Sequence, residues 1–121
     1  MTKLNIKPTS YSPSVTYNKN DYCLSICGRS IQENPQAWYD DLWTKIATEI
    51  TNKKVKKLYL SLEYFNTASA KQIFRLLQKF LKNTSDSRII WAYEADDEDM
   101  KEAGEDYQAM LETEFIFDAI N

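Results

Sequence analysis

The sequence contains no histidine, and this absence excludes many kinds of chemistry. Imidazole is the base of Ser-His-Asp hydrolases, a common proton shuttle and a frequent zinc ligand. Glycine is also scarce: Gly28 and Gly104 are the two glycines of the chain, and they cannot form a glycine-rich nucleotide loop. The usual catalytic motifs are therefore missing, and we expect a protein that is not an enzyme and has no cofactor.

Cysteine and long apolar runs are scarce as well. Cys23 and Cys27 lie in one predicted strand at a spacing of about 13 Å, taking roughly 3.3 Å per residue, which is too far for a disulfide between them. They are typical of small packing residues in a reducing compartment. No apolar run reaches the length of a membrane span, and residues 1–10 lack the apolar stretch of a secretory signal. We expect a cytoplasmic protein without membrane insertion.

The length and composition are those of a globular protein. The 121 residues, 43% hydrophobic and 27% charged, predict a single domain over residues 1–121. A chain of this size buries roughly two-thirds of its extended surface when it folds. It therefore needs neither disulfides nor a metal to stabilise its core.

Hydrophobic periodicity predicts alternating strands and helices after an N-terminal hairpin. The extended runs 15–17 and 22–27 flank a polar turn, and a strand near 4–6 precedes them. Asn34 and Pro35 begin a helix that continues to about residue 51, because Asn is a good N-cap and Pro suits the first helical position. The further predicted elements are a strand at 55–65, a helix that begins within 66–69, a loop at 83–87, a strand at 88–93, a helix at 97–111 and a strand at 115–119.

The last two helices carry apolar stripes at helical spacing. Their members are Ile73, Leu76, Leu77, Phe80 and Leu81 in one helix, and Met100, Ala103, Tyr107, Met110 and Leu111 in the other. A hairpin followed by βαβα units predicts an α/β fold with a mixed β-sheet and helices packed on it. Functional loops gather at the carboxyl ends of parallel strands, so we expect the loops 66–69 and 94–97 to be neighbours.

The first of these loops contains two hydroxyl side chains, Thr67 and Ser69. Ser69 and Gln72 fit a capping box, and Asn66 or Thr67 fits the N-cap position equally well. A helix N-terminus is also an anion site, where a phosphoryl group on Thr67 or Ser69 would be tolerated. The pattern therefore leaves two interpretations open: simple capping and reversible phosphorylation.

The second loop opens an acidic block, residues 94–106. It holds eight of the 18 acidic residues and one lysine, so its charge is −7 and that of the remaining chain is +4, against −3 overall. The acidic block has three possible explanations: a solvated helix start, a recognition surface for a basic partner, or a metal site on residues 96–102. The metal hypothesis uses Asp96, Asp97, Asp99 and Glu102, although their spacing does not fit a calcium loop.

A small basic cluster precedes the strand at 55–65. It consists of Lys53, Lys54, Lys56 and Lys57. Because the pI is near 5.0 and Tyr59 is the one nearby aromatic residue, we expect no nucleic-acid partner. The cluster is interpreted as the solvated start of a strand.

The two loops and their flanks closely resemble the signatures of one family, the SiaC regulatory phosphoproteins. The matching stretches are LEYFNTASAK, residues 62–71, and WAYEADDEDMKEAGEDY, residues 91–107. The segment Cys27-Gly28-Arg29-Ser30, followed by Glu33-Asn34, looks like the glycine-arginine-serine segment of the family. Together these stretches extend over nearly the whole chain.

The resemblance implies a STAS-like fold and a switch between partners that is controlled by phosphorylation. The acceptor threonine of the family falls on Thr67, and Ala68 stands where many members have serine, which leaves Ser69 as the runner-up acceptor. The implied partners are a Ser/Thr kinase with a histidine-kinase-like ATP fold and a PP2C-like phosphatase. The unphosphorylated family namesake binds and activates a diguanylate cyclase, which implies a role in c-di-GMP signalling and biofilm formation.

Residues and resemblance together predict a non-enzymatic partner switch whose unphosphorylated form docks an effector. The predicted docking residues are Tyr64, Asn66, Thr67, Ser69, Lys71, Glu94, Asp96, Asp97, Glu98 and Asp99. The alternative functions are an acid-rich metal-binding or metal-dependent hydrolase domain and, more weakly, a constitutive scaffold whose hydroxyls only cap a helix.

Overall fold

The six strands form one sheet in which they lie in sequence order. The computed structural model describes residues 4–121. Its elements are β1 (Asn5–Ile6), β2 (Ser14–Asn18), β3 (Cys23–Ser30), α1 (Pro35–Thr51), β4 (Lys57–Phe65), α2 (Thr67–Lys82), β5 (Arg88–Glu94), α3 (Glu98–Leu111) and β6 (Ile116–Ile120). The predicted early strand and final strand are both confirmed, and β4 begins two residues later than predicted.

The sheet is mixed, as predicted. β1, β2 and β3 pair antiparallel, whereas β3, β4, β5 and β6 pair parallel and are connected through the three helices. Parallel crossovers between neighbouring strands are right-handed, which brings successive helices to the same face of the sheet. The described part of the chain thus forms two layers, with the sheet on one side and the helices on the other.

The register shows which sheet face the helices cover. Leu24, Leu58 and Ile89 are cross-strand neighbours with at most 1% of their surface exposed. Their chain neighbours Ser25 and Tyr59 point to the opposite face and are only half-buried. Apolar side chains therefore fill the space between sheet and helices, whereas the other face carries a mixture of polar, small, aromatic and aliphatic side chains.

The predicted helix stripes are confirmed with one exception. In α2 the buried residues include Ile73, Leu76, Leu77 and Phe80, as the periodicity indicated. In α3 the prediction for Met110 is wrong, because its side chain is 59% exposed. The face of α3 that meets the sheet passes through Met100, Gly104 and Tyr107, and Met110 lies roughly a quarter turn around the helix from that face.

α3 is held against the sheet by contact between Trp91 of β5 and the helix backbone. The indole Nε1–H donates to the Met100 carbonyl oxygen at 2.9 Å. A Cβ atom placed on Gly104 would lie 2.4 Å from Cδ1 of Trp91, well inside any allowed contact. Trp91 at one end of the segment 91–107 thus packs directly on the helix backbone near its other end. Position 104 has to be glycine because a side chain there would overlap the indole ring.

The two cysteines lie on β3 and point to the sheet face opposite to the helices. Both are free and half-buried, which agrees with the prediction that they do not form a disulfide with each other. Burial raises the pKa of the Cys27 thiol, so the group stays protonated near neutral pH. Among residues 4–121, no helix combines the length and the apolar character that crossing a membrane requires.

Candidate phosphorylation and docking site

The predicted site lies where β4 and β5 end. These strands pair in parallel, so the loops that follow them lie at the same edge of the sheet. Tyr107 of α3 then donates its hydroxyl hydrogen to the Ala70 carbonyl oxygen at 2.7 Å, which joins α3 to the first turn of α2. The prediction that the loops 66–69 and 94–97 are neighbours is confirmed.

Asn66 is the N-cap of α2. Its side-chain oxygen accepts from the Ser69 backbone N–H at 2.9 Å, and its backbone is extended, as a cap requires. The Asn66 backbone N–H donates to the Ser30 carbonyl oxygen at 3.3 Å, which fixes the cap to the end of β3. The capping box of Ser69 and Gln72 is wrong, because Ser69 is the third residue of the helix and not its cap.

Thr67 is the first residue of α2, and its side chain is exposed. The first backbone N–H groups of a helix have no intrahelical acceptor, and the positive end of the helix dipole lies there. A phosphoryl group on Thr67 would therefore lie beside unpaired N–H donors. The position is open to an enzyme and compatible with a bound anion.

Ser69 differs from Thr67 because it is fully buried. Its hydroxyl donates to Oε1 of Gln32 at 3.3 Å, and the same oxygen accepts from the Ser30 hydroxyl at 2.8 Å. Burial of this kind counts against Ser69 as an acceptor in the folded chain. Sequence reasoning missed Gln32 entirely, since no local pattern connects residues that are 37 positions apart.

The network continues from Ser30 into α1. The Ser30 hydroxyl lies 2.8 Å from the Tyr39 hydroxyl. Burial raises the pKa of Tyr39 to about 12, and the hydrogen bond with Ser30 offsets part of that rise. Hydrogen bonds between hydroxyl and amide groups thus connect the end of β3, the loop that follows it, α1 and the first turn of α2, in which Thr67 is exposed.

The acidic loop begins α3 with a cap of its own. The Asp97 carboxylate accepts from the Met100 backbone N–H at 3.0 Å, and the Asp97 backbone N–H donates to the Glu94 carbonyl oxygen at 2.8 Å. Acidic side chains in the first turn of α3 complement the helix dipole. The exposed acidic residues of this loop are Glu94, Asp96, Glu98 and Asp99.

The metal-site hypothesis for residues 96–102 depends on whether their carboxylates lie together. Over residues 4–121, no three cysteine or acidic side chains lie close enough together to hold a metal ion. Asp97 is already used as a helix cap, and Asp96, Asp99 and Glu102 are exposed to solvent. Within residues 4–121, the structure therefore does not bring these four carboxylates together as a ligand set.

Tyr64 and Lys71 complete the predicted docking residues. A register shift after Gly28 pairs Arg29 with Tyr64 and leaves Glu63 as an extra residue in β4. The bulge turns Phe65 inward, where its ring lies 6.4 Å from that of Trp91 and Tyr64 is 52% exposed. Lys71 is also exposed, whereas Asn66 is only half-buried. Of the predicted set, only Ser69 is fully buried.

Comparison with known proteins identifies one matching family and several similar folds. The family model described as SiaC family regulatory phosphoprotein matches residues 6–120. None of the curated proteins matches the chain.

Solved structures from Pseudomonas aeruginosa are similar over the whole chain. A chain in the crystal structure of the diguanylate cyclase SiaD with its activator SiaC has a TM-score of 0.80 and 21% identity, over 97% of this chain and 99% of that one. A structure of SiaC has a TM-score of 0.75 and 23% identity, over 100% of this chain and 98% of that one. The crystal structure of apo-SiaC has a TM-score of 0.71 and 21% identity, and the match covers 100% of both chains. These likenesses confirm the predicted STAS-like fold.

Proposed function

Because this chain belongs to the SiaC family of regulatory phosphoproteins, we propose that it is a partner switch without catalytic activity, controlled by phosphorylation of Thr67. The observation that carries the proposal is the contrast at the start of α2. Thr67 is exposed, whereas Ser69 is buried and hydrogen-bonded to Gln32. An enzyme can reach the first hydroxyl and not the second.

The free energies involved indicate that phosphorylation of Thr67 changes partner binding and does not unfold the domain. Contact between an anion and a helix N-terminus is worth about 0.3 to 1 kcal/mol, whereas a domain has roughly 5 to 15 kcal/mol of stability. Phosphorylation of Thr67 therefore leaves the fold intact. At a docking surface, an added charge of about −1.5 to −2 that must be desolvated weakens binding by several kcal/mol, on the order of 10³-fold.

The effector in this proposal is a diguanylate cyclase. SiaC is described as the activator of the diguanylate cyclase SiaD in one of the similar structures, which supports this choice of partner class. The unphosphorylated chain docks the cyclase and so controls c-di-GMP signalling and biofilm formation. The docking surface combines Tyr64, Thr67 and Lys71 with the exposed acidic residues of the second loop, and a basic surface on the effector would complement the latter.

Two enzymes set the state of Thr67 in this scheme. A cognate Ser/Thr kinase phosphorylates it, and a PP2C-like phosphatase removes the phosphoryl group. All of these partners act in the cytoplasm, and the two free cysteines support this location because reducing compartments keep thiols unpaired.

The test compares effector binding by charge variants. We expect Thr67→Glu to reduce affinity for the cyclase on the order of 10³-fold, because the added charge lies within the docking surface, with the melting temperature within a few degrees of wild type. Isothermal titration calorimetry and thermal unfolding measure the two quantities. Thr48→Glu is the matched control, since Thr48 is an exposed threonine in the last turns of α1, at the opposite end of the sheet.

A kinase assay tests the acceptor separately. Thr67→Ala should accept no phosphate from the cognate kinase and should still bind the cyclase. If Thr67→Ala is phosphorylated to the same extent as the wild-type protein, the assignment of Thr67 as the acceptor is wrong. If Thr67→Glu binds as tightly as the control, the switch itself is wrong.

A further inference from the structure

A cleft of about 520 Å³ lies at the end of the sheet opposite to Thr67. The connection from α1 to β4 forms one wall and the connection from α2 to β5 forms the other. Its volume is within the range of about 300 to 1,000 Å³ that small-molecule sites occupy. None of the residues that line this cleft belongs to the proposed docking surface around Thr67.

The cleft is lined by an excess of positive charge. Lys53, Lys56 and Lys82 line it, and Asp86 is the single acidic residue among its lining residues. The chain as a whole has a net charge of −3, so the positive charge of the cleft is opposite in sign to the charge of the whole protein. In the part of the chain that the structure describes, the one ion pair joins Lys45 to Asp41 on α1, and the three cleft ammonium groups have no carboxylate partner.

Lys82 lies in the last turn of α2, where its charge complements the helix dipole, but the hydrogen bonds at the two helix C-termini are made by other groups. Lysine near a helix C-terminus commonly compensates the last carbonyl groups. Here the end of α1 is capped by the backbone N–H groups of residues 52–54, which donate at 2.8 to 3.0 Å. At the end of α2 the Asn83 amide and the Thr84 hydroxyl donate to the Lys79 and Phe80 carbonyl oxygens, each at 2.8 Å. The ammonium groups are thus left available for a ligand.

We propose that this cleft binds a small phosphate-bearing anion of nucleotide size. Lys53 and Lys56 from the connection between α1 and β4, and Lys82 from the end of α2, give the cleft its positive charge. Charge-assisted hydrogen bonds from lysine to phosphate are stronger than hydrogen bonds between neutral groups. Lys56 is held in place partly by its contact with the Tyr22 ring, 5.6 Å from the ring centroid. Ser85 is also a lining residue of the cleft.

The backbone at Lys53 offers a variant that removes charge without harming the fold. Lys53 has φ of 61°, in the left-handed region that favours glycine, and it follows the C-cap of α1. Lys53→Gly therefore removes one cleft ammonium group and relieves an unfavourable backbone conformation at the same time. Its melting temperature should equal or exceed that of wild type, so loss of binding cannot be attributed to misfolding.

The experiment is an NMR titration of the full chain, with pyrophosphate and ATP as probes at low ionic strength. We expect saturable amide shifts confined to residues 51–57 and 82–88. Lys53→Gly and Lys82→Gln should each weaken binding at least about tenfold, which corresponds to about 1.4 kcal/mol. Lys45→Gln is the control, because it removes one positive charge from the exposed pair on α1.

Three results would overturn the proposal: shifts that scatter over lysines elsewhere on the surface, equal weakening by all three variants, and equal shifts with sulfate at the same concentration. Each would mean that the cleft attracts only a diffuse ion atmosphere. A negative NMR titration would not contradict the proposed partner switch, because the switch is tested separately by the effector binding of Thr67 variants.

Discussion

At the scale of single residues, the most constrained contact lies between Trp91 and Gly104. The indole ring occupies the space in which any side chain at position 104 would begin. Phe65, Tyr107 and Phe115 surround the same ring with centroid distances of 5.5 to 6.5 Å. Packing thus explains Trp91 and Gly104, whereas the exposed carboxylates of residues 94–99 belong to the proposed docking surface.

Gly104→Ala should destabilise the fold. Alanine favours a helix over glycine by about 1 kcal/mol, but a Cβ atom 2.4 Å from the indole forces a shift of α3 or of the ring. Overpacking of this kind costs typically about 1 to 3 kcal/mol, so the expected net loss of unfolding free energy is up to about 2 kcal/mol. Chemical denaturation measures it, with Glu105→Ala on the exposed side of α3 as control. A stability gain in Gly104→Ala would contradict the close contact.

Buried tyrosines predict a loss of stability in alkali. Burial raises the pKa of Tyr39 to about 12, and burial also raises the pKa of Tyr107. An unfolded tyrosine titrates near 10, so the neutral phenol stabilises the folded state fully below pH 10. That contribution is lost as pH rises from 10 toward 12, because the unfolded chain releases the proton first.

Tyr39→Phe should therefore flatten the alkaline branch of the stability profile. The measurement is the free energy of unfolding between pH 8 and about 11.5, over which the variant should lose about 2 kcal/mol less than wild type, because this range extends about 1.5 pH units above the unfolded pKa at about 1.4 kcal/mol per unit. Tyr11→Phe is the control, because Tyr11 is 64% exposed. An equally steep profile in Tyr39→Phe would show that this phenol does not control the transition.

At the scale of elements, the first turn of α2 separates a surface function from a structural one. Consecutive helical positions point in different directions, about 100° apart. Thr67 consequently faces solvent, whereas Ser69 faces Gln32 and the end of β3. One turn of helix therefore carries both the proposed switch and the buried network that supports it.

This division predicts opposite outcomes for two similar substitutions. Ser69→Asp places a carboxylate in a fully buried site and should reduce stability by several kcal/mol or prevent folding. Thr67→Asp adds the same charge at the exposed N-terminus of the helix and should leave stability within about 1 kcal/mol of wild type. Thermal unfolding of the two variants compares them directly. Equal melting temperatures would mean that Ser69 is not buried in solution.

At the scale of the whole molecule, charge is separated along the strands. The acidic loop follows β5 at the carboxyl end of the sheet, and the lysine cleft lies at the amino ends of β4 and β5. A phosphoryl group on Thr67 would add negative charge to the end that is already negative. A partner that approaches the carboxyl end therefore meets a stronger field of one sign after phosphorylation, whereas the cleft at the other end is unaffected.

Local sequence determined most of the elements of this fold. The stripe of α2, the N-cap Asn34 and the alternating strands follow from periodicity and capping, which depend on residues within a few positions of each other. The juxtaposition of the two loops also followed from sequence, because parallel neighbours must end at one edge. The choice of Thr67 came from the family resemblance, and exposure of its side chain is consistent with that choice.

Only the tertiary structure decided which of these side chains are accessible. Burial of Ser69 depends on Gln32, the requirement for Gly104 depends on Trp91, and the cleft arises because two connections far apart in sequence meet. No local rule contains these contacts, since each joins residues that folding alone brings together. Sequence therefore predicted the elements and the candidate hydroxyls, whereas packing distinguished the exposed hydroxyl from the buried one.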